Sequence, residues 1–179
     1  MPLAFTVTAV IPASAKDIYE AWLDGARHAQ MTGTKSGKAS VEVGGAHEVW
    51  DGYISGHNLK LVPGRRIVQS WRTTEFEPGD PDSQIDITLA KTARGTRLTL
   101  AHTNVPDGHA GYKTGWATHY FTPMKAYFIA QAKTSAAAKP KAKSKAKPKA
   151  AAKTKAASGK KVAAKPATKR TTAKKKAKR

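Results

Sequence analysis

No acidic residue occurs after Asp107, and the last 47 positions, Lys133 to Arg179, hold 19 Lys and Arg. This one-sided charge constrains the fold more than any other feature, because it marks which part of the chain can build a core. The tail is mostly Lys, Ala, Pro, Thr and Ser, and Val162 is its only larger apolar side chain. With nothing to bury, it cannot offset the conformational entropy that folding costs. Lys and Ala favour helix, but like charges repel, and Pro140, Pro148 and Pro166 interrupt any long one. Residues 1–132 keep 13 basic against 12 acidic side chains, so they carry +1 of the formal +20. The expectation is two objects: a nearly neutral folded domain over residues 1–132 and a disordered basic tail over residues 133–179.

The stretch AKPKAKSKAKPKAAAKTKAA (residues 138–157) resembles, by composition, the tails of linker histones and of histone-like bacterial proteins. Its expected partner is a polyanion, above all nucleic acid, DNA or RNA, bound through counterion release. The side chains expected to meet phosphates are Lys139, Lys141, Lys143, Lys145, Lys147, Lys149, Lys153, Lys155, Lys160, Lys161, Lys169, Arg170, Lys174, Lys175, Lys176, Lys178 and Arg179. No aromatic residue interleaves with them to stack on bases, and no rigid element presents them to base edges, so binding should be independent of sequence. A purely solubilising tail, an acidic membrane surface, ribosomal RNA, or a nuclear address in AKKKAKR are the alternatives.

Within residues 1–132 the pattern is that of one domain with a core. Phe5, Val7, Ala9 and Ile11 alternate with Thr6, Thr8 and Val10 as a half-buried strand, and Pro12 ends it. Ser14 with Asp17 reads as the cap of a helix carrying Ile18, Tyr19, Trp22 and Leu23, stopped by Asp24-Gly25. A short second helix is expected through Arg27 to Met31. From Lys38 the periodicity changes to strands: Val41-Val43, then Val49-Trp50, Tyr53 to Leu61, Ile67 to Trp71, Ile85 to Leu89, and Leu98 to His102. Gly44-Gly45, Asp51-Gly52, Pro63-Gly64 and Gly95 supply the turns, and EPGDPDS (77–83) a polar loop. Trp116, Tyr120, Met124, Tyr127 and Phe128 then mark one buried face of a long helix from about Tyr112 to Ala132, with Pro123 kinking or breaking it. No apolar run reaches the ~20 residues of a membrane helix, the start lacks the charged lead of a signal peptide, and no Cys is present. These features fit a cytoplasmic protein, nucleoid-associated through its tail.

Three motifs, in this order, are similar to those of the family related to the C-terminal half of the activator of the Hsp90 chaperone ATPase: WDGYISGHNLKLVPGRRIVQSWR (50–72), GTRLTLAHTNVP (95–106) and GWATHYFTPMKAYF (115–128). The resemblance spans residues 3–130. It implies an α+β, helix-grip (START-like, SRPBCC) fold, here with a seven-stranded antiparallel sheet wrapped around a long C-terminal helix and a hydrophobic cavity between them. Eukaryotic activators pair this domain with an N-terminal chaperone-binding domain that has no counterpart in these residues. His47 stands where relatives often carry an aromatic residue, which implies a more polar cavity if it points inward.

The residues expected to line the cavity are Trp22, His47, Trp50, Trp71, His102, Trp116, His119, Tyr120 and Met124; each tryptophan is more often simply core, and cavity walls in such a fold are core side chains. The six histidines form no HxH or HExxH spacing, so no metal is expected, and nothing calls for a cofactor. His102 and His119 could face one another across the cleft, but nothing supplies a nucleophile or an orienting carboxylate for them. Asp51 reads as a turn residue, and Arg72 and Arg97 as surface side chains unless turned inward to an acidic ligand group. Three functions stay open. The favoured one is a non-enzymatic module binding a small apolar ligand and tethered to DNA. The others are a co-chaperone acting on a chaperone ATPase, and a cyclase- or hydrolase-type enzyme of the same superfamily. No membrane insertion is expected.

Overall fold

The computed structural model describes residues 1–137. The chain begins with strand β1 (Leu3–Ile11), whose end at Pro12 is the expected one. Helix α1 (Ala15–Leu23) starts where Ser14 accepts the Asp17 amide at 3.1 Å. Asp24 closes that helix and opens the next, α2 (Gly25–Thr32), by accepting the Arg27 amide at 2.9 Å. One short polar side chain thereby ends one helix and caps another.

Five further strands follow: β2 (Ala46–Val49), β3 (Ile54–Val62), β4 (Arg66–Thr73), β5 (Ser83–Thr92) and β6 (Gly95–Val105). They form one antiparallel sheet in the order β1-β6-β5-β4-β3-β2, so every neighbour except β1–β6 is also a neighbour in sequence. Ile85, Ile87 and Leu89 on β5 pair with His102, Leu100 and Leu98 on β6, and all six are buried on the inner face. Each such aliphatic side chain contributes roughly 1.5–3 kcal/mol on burial.

The sheet has six strands, not the expected seven. Val41 and Val43 are 74% and 64% exposed, and their segment is a loop. Two exposed valines offer a sheet no apolar face to bury. Instead Asn58, on β3, holds the loop: its Nδ2 donates to the carbonyls of Ser40 at 2.7 Å and Glu42 at 2.9 Å. Its backbone meets Gly44 and Gly45 at 2.7 and 2.9 Å. Asn58 is fully buried, and Gln69 Nε2 donates to its Oδ1 at 2.7 Å while Gln69 Oε1 accepts from Trp22 Nε1 at 2.9 Å. A satisfied polar relay thus runs from α1 through β4 and β3 to the loop, the kind of network that specifies one arrangement of its elements.

The final element has three parts: α3 (Tyr112–Gly115), a π-helical segment (Trp116–Phe121) and α4 (Thr122–Ala137). The expected disturbance at Pro123 appears as this widened turn. The Thr122 amide reaches back five residues to the Ala117 carbonyl, and the Thr122 hydroxyl meets the same oxygen at 2.9 Å. Pro123 has no amide to donate, and a π turn is one of the ways a helix absorbs that loss. Trp116, Tyr120, Phe121, Met124 and Phe128 face the sheet and are buried, while Tyr127 is only partly so. The helix continues to Ala137, so Lys133–Ala137, expected in the disordered tail, are helical. The lysines and arginines from Lys139 onward lie outside the described residues.

Candidate functional site

An open cleft of about 350 Å³ lies between one end of the sheet and the final helix. Tyr53, Ile54, Trp71 and Glu75 come from the sheet side, and Gly111, Tyr112, Gly115, Trp116, His119 and Tyr120 from the helical side. Trp50 reaches it from the β2–β3 turn. That turn is a type I′ hairpin closed by the Tyr53 amide on the Trp50 carbonyl at 3.0 Å, with Asp51 at φ 57° and Gly52 at φ 90°. Trp50 itself sits at φ 59°, a left-handed conformation that is an outlier for so large a side chain. Asp51 is a turn residue, as expected, and also a staple: its Oδ1 accepts from the Ser36 amide at 2.8 Å and the Ser36 hydroxyl at 3.0 Å.

The aromatic walls are continuous. Trp116 lies 4.5 Å from Tyr120 and 5.8 Å from Trp71 between ring centroids. Trp50 lies 5.8 Å from Tyr120 and 5.6 Å, edge-on, from His119, and Trp71 packs edge-on to Tyr112 at 5.1 Å. At the rim the Tyr112 hydroxyl meets Thr73 Oγ1 at 2.8 Å and donates to Glu75 Oε2 at 3.2 Å. Burial raises the pKa of Tyr112 and of Tyr53, and the nearby Glu75 carboxylate raises both further.

Of the residues expected to line the cavity, Trp50, Trp71, Trp116, His119 and Tyr120 line this cleft. Trp22 stacks behind Tyr120 and Trp116 at 5.5 and 6.4 Å, and Met124 is fully buried in the core. His47 is buried on β2 against β3, where it pairs in register with Gly56. A methyl group on Gly56 would stand 2.7 Å from His47 Cε1, so only glycine leaves room for that ring. Burial first, and then the neighbouring His28 and His57, lower the His47 pKa to about 4. His28 is buried as well, with a pKa lowered by burial to about 4, and its Nδ1 donates to the Trp22 carbonyl at 3.0 Å. Its Nε2, His47 Nδ1 and Trp50 Nε1 are buried with no hydrogen-bond partner among the described residues.

His102 does not face His119 across the cleft; it is fully buried behind Trp116. Trp116 Nε1 donates to His102 Nδ1 at 3.2 Å, which puts the ring proton on Nε2, 2.9 Å from Ser83 Oγ. Ser83 donates its own proton to the Trp71 carbonyl at 2.6 Å. A general base for that serine needs a bare nitrogen on that side, and here the nitrogen carries the proton. Burial lowers the His102 pKa to about 3, consistent with a neutral ring joining β5, β6 and the helix. Arg72 donates to the carbonyls of Asp80 at 2.7 Å and Glu77 at 2.6 Å, so it organises the 77–82 loop and offers no ligand anchor. Arg97 is exposed.

Sequence reasoning missed Tyr53, Ile54, Glu75 and Tyr112. Tyr112 carried a signal, standing one helical turn before Trp116 and two before Tyr120. Glu75 carried none, because it follows the end of a strand whose register brings it to the rim. Among the described residues no three His, Cys, Asp or Glu side chains gather as a metal site. Among the same residues no helix is long and apolar enough to cross a membrane.

Comparison with known proteins agrees with this architecture. A relative from Dictyostelium discoideum named "Activator of 90 kDa heat shock protein ATPase homolog" is 31% identical over 94 residues, covering 51% of this chain and 24% of the relative. The chain therefore spans about a quarter of that relative's length. The crystal structure of an HSP90 activator from Plasmodium falciparum superposes with a TM-score of 0.63 at 18% identity, over 72% of this chain and 96% of that one. A protein from Chromobacterium violaceum superposes with a TM-score of 0.57 at 27% identity, over 70% and 96% of the two chains. The fold is thus α+β and START-like, with an antiparallel sheet and a C-terminal helix. Residues 12–128 match the profile of the family described as "Activator of Hsp90 ATPase homolog 1-like protein", and the chain belongs to that family.

Proposed function

We propose that this protein is a non-enzymatic module that binds a small, largely apolar ligand in the aromatic cleft and is held near polyanions by its lysine-rich C-terminal residues. The observation that carries the reading is the cleft. Its volume of about 350 Å³ falls within the range of small-molecule sites, which are mostly apolar with a few polar groups. The left-handed backbone at Trp50 supports it further. Such a conformation costs about 1–3 kcal/mol and persists where surrounding structure or function requires it, and here it directs an indole into the cleft wall. The test is a titration of the full chain with flat aromatic compounds, followed by tryptophan emission and by heat. Saturable binding that Trp50→Ala weakens at least tenfold is the expected result. A panel that leaves both signals unchanged at millimolar concentration would reject the cleft as a ligand site.

Family membership favours a second reading, regulation of a chaperone ATPase. The Dictyostelium relative carries that activity in its name, although this chain matches only part of it. Adding the full chain to a purified Hsp90-type chaperone and measuring ATP hydrolysis tests this directly. Turnover that stays constant to a several-fold molar excess rules the reading out.

A further inference from the structure

We propose that the ligand of the aromatic cleft is a small organic cation, an ammonium bearing alkyl or aryl groups, held over the aromatic rings and drawn by Glu75 at the rim. The inference rests on the proposed ligand-binding role of the cleft and adds the sign of the ligand's charge.

Two features of the lining lead there. The first is its aromatic content: three Trp rings (Trp50, Trp71, Trp116) and three Tyr rings (Tyr53, Tyr112, Tyr120) surround one space. The face of such a ring carries negative electrostatic potential, and several rings around one volume attract a cation, most strongly where water is excluded. A neutral apolar ligand is served as well by Leu, Ile and Val, yet Ile54 is the only aliphatic side chain of that kind in the wall. The second feature is charge. Glu75 is the only carboxylate in the lining, and no Lys or Arg is there. Its only ion-pair partner among the described residues is His109, at 3.8 Å. The tyrosine hydroxyl that donates to it at 3.2 Å orients it without neutralising it.

The sign of this site opposes that of the whole protein. A chain of formal net charge +20 would repel a small cation if its charge acted as one body. At physiological ionic strength, exposed charges more than roughly 8 Å apart are largely screened, whereas the carboxylate and rings of the lining act on a bound ligand at contact distance. The rim also explains selectivity for substituted ammonium over metal ions. A single carboxylate beside phenols is a poor oxygen cage for a hard cation, whereas alkyl or aryl groups gain the apolar walls.

The experiment compares benzyltrimethylammonium with its uncharged carbon isostere, neopentylbenzene, on the full chain at pH 8, where a free imidazole is uncharged. Binding is read from tryptophan emission and calorimetry. The expected result is binding of the cation at least tenfold tighter than of the isostere. Glu75→Gln, a substitution at an exposed rim position, should remove most of that preference and leave the isostere's affinity unchanged. Trp50→Leu, which keeps the wall apolar and removes a ring, should weaken the cation more than the isostere. If the isostere binds as tightly as the cation, or if Glu75→Gln leaves the preference intact, the charge assignment is overturned while the cleft remains a ligand site. If neither probe binds, both this inference and the ligand-binding reading fall.

Discussion

Three imidazoles, His28, His47 and His102, are enclosed in the domain, and burial lowers their pKa values to about 4, 4 and 3. In the unfolded chain each returns to about 6.5. Between those limits the unfolded state binds more protons than the folded one, so stability rises with pH across the window. The stabilisation is present above about pH 6.5 and is lost as pH falls towards 4. A tenfold difference in proton affinity between the two states is worth about 1.4 kcal/mol, so three such groups titrating together remove a large part of a domain's stability. Urea melts at pH 7.5, 6, 5 and 4.5 should show the midpoint falling steadily, and His47→Gln should flatten that fall. A midpoint constant from pH 7.5 to 5 would mean that these rings are not held neutral. The same rings show why histidines read from sequence are ambiguous. From sequence His102 was at best a weak candidate for a base and more readily a plain cavity-lining imidazole, and its two hydrogen bonds show that its proton is committed to Ser83.

At the scale of elements, the outer end of the sheet is organised by a close approach. Gly56 on β3 leaves no space for a side chain: a methyl group there would stand 2.0 Å from the Ser70 carbonyl and 2.7 Å from His47 Cε1. The Ser70 hydroxyl also accepts the His57 amide at 2.9 Å, so β3 and β4 are tied side chain to backbone beside that glycine. Gly56→Ala is therefore expected to push β3 away from β4 and disturb β2, at a cost of roughly 1–3 kcal/mol or more for overpacking. Thermal unfolding should show a midpoint lowered by several degrees. An unchanged midpoint would mean that β3 and β4 can separate freely at this point. The turn at Trp50 leads directly into β3, so the same substitution should also alter the tryptophan emission of the cleft.

Across the whole molecule, charge and fold are separated. Body residues carry nearly balanced charge, and the excess belongs to the C-terminal lysines and arginines. Because α4 continues to Ala137, the cut that respects the domain falls after that residue and not at Ala132. If about ten of the C-terminal charges engage duplex DNA together, the log–log dependence of affinity on salt should have a slope of roughly −9. Binding measured from 50 to 200 mM salt should show that slope for the full chain. The chain ending at Ala137 should bind at least a hundredfold more weakly at 50 mM. Equal binding by the two would place the nucleic-acid contact on the domain, and no binding by either would remove nucleic acid as a partner.

Sequence alone determined what depends on near neighbours. Ser14 as a cap, the helix stop at Asp24-Gly25, the turn at Asp51-Gly52, the alternation along β5 and β6 and the helical spacing from Trp116 to Phe128 are all local, and all are found in the structure. Charge segregation is equally local, since it needs only counting. Tertiary structure decided whatever depends on register between distant segments. Val41 and Val43 had the alternation of a strand, but nothing nearby records that Asn58 would bind their loop through its side chain. Glu75 and Tyr53 reach the cleft because β3, β4 and the final helix meet at one end. His47 and Met124 have the composition of cavity walls yet point into packed interior. The physical reason is that propensity and periodicity act over one or two turns, whereas a cleft is the space left where elements far apart in sequence fail to close on each other.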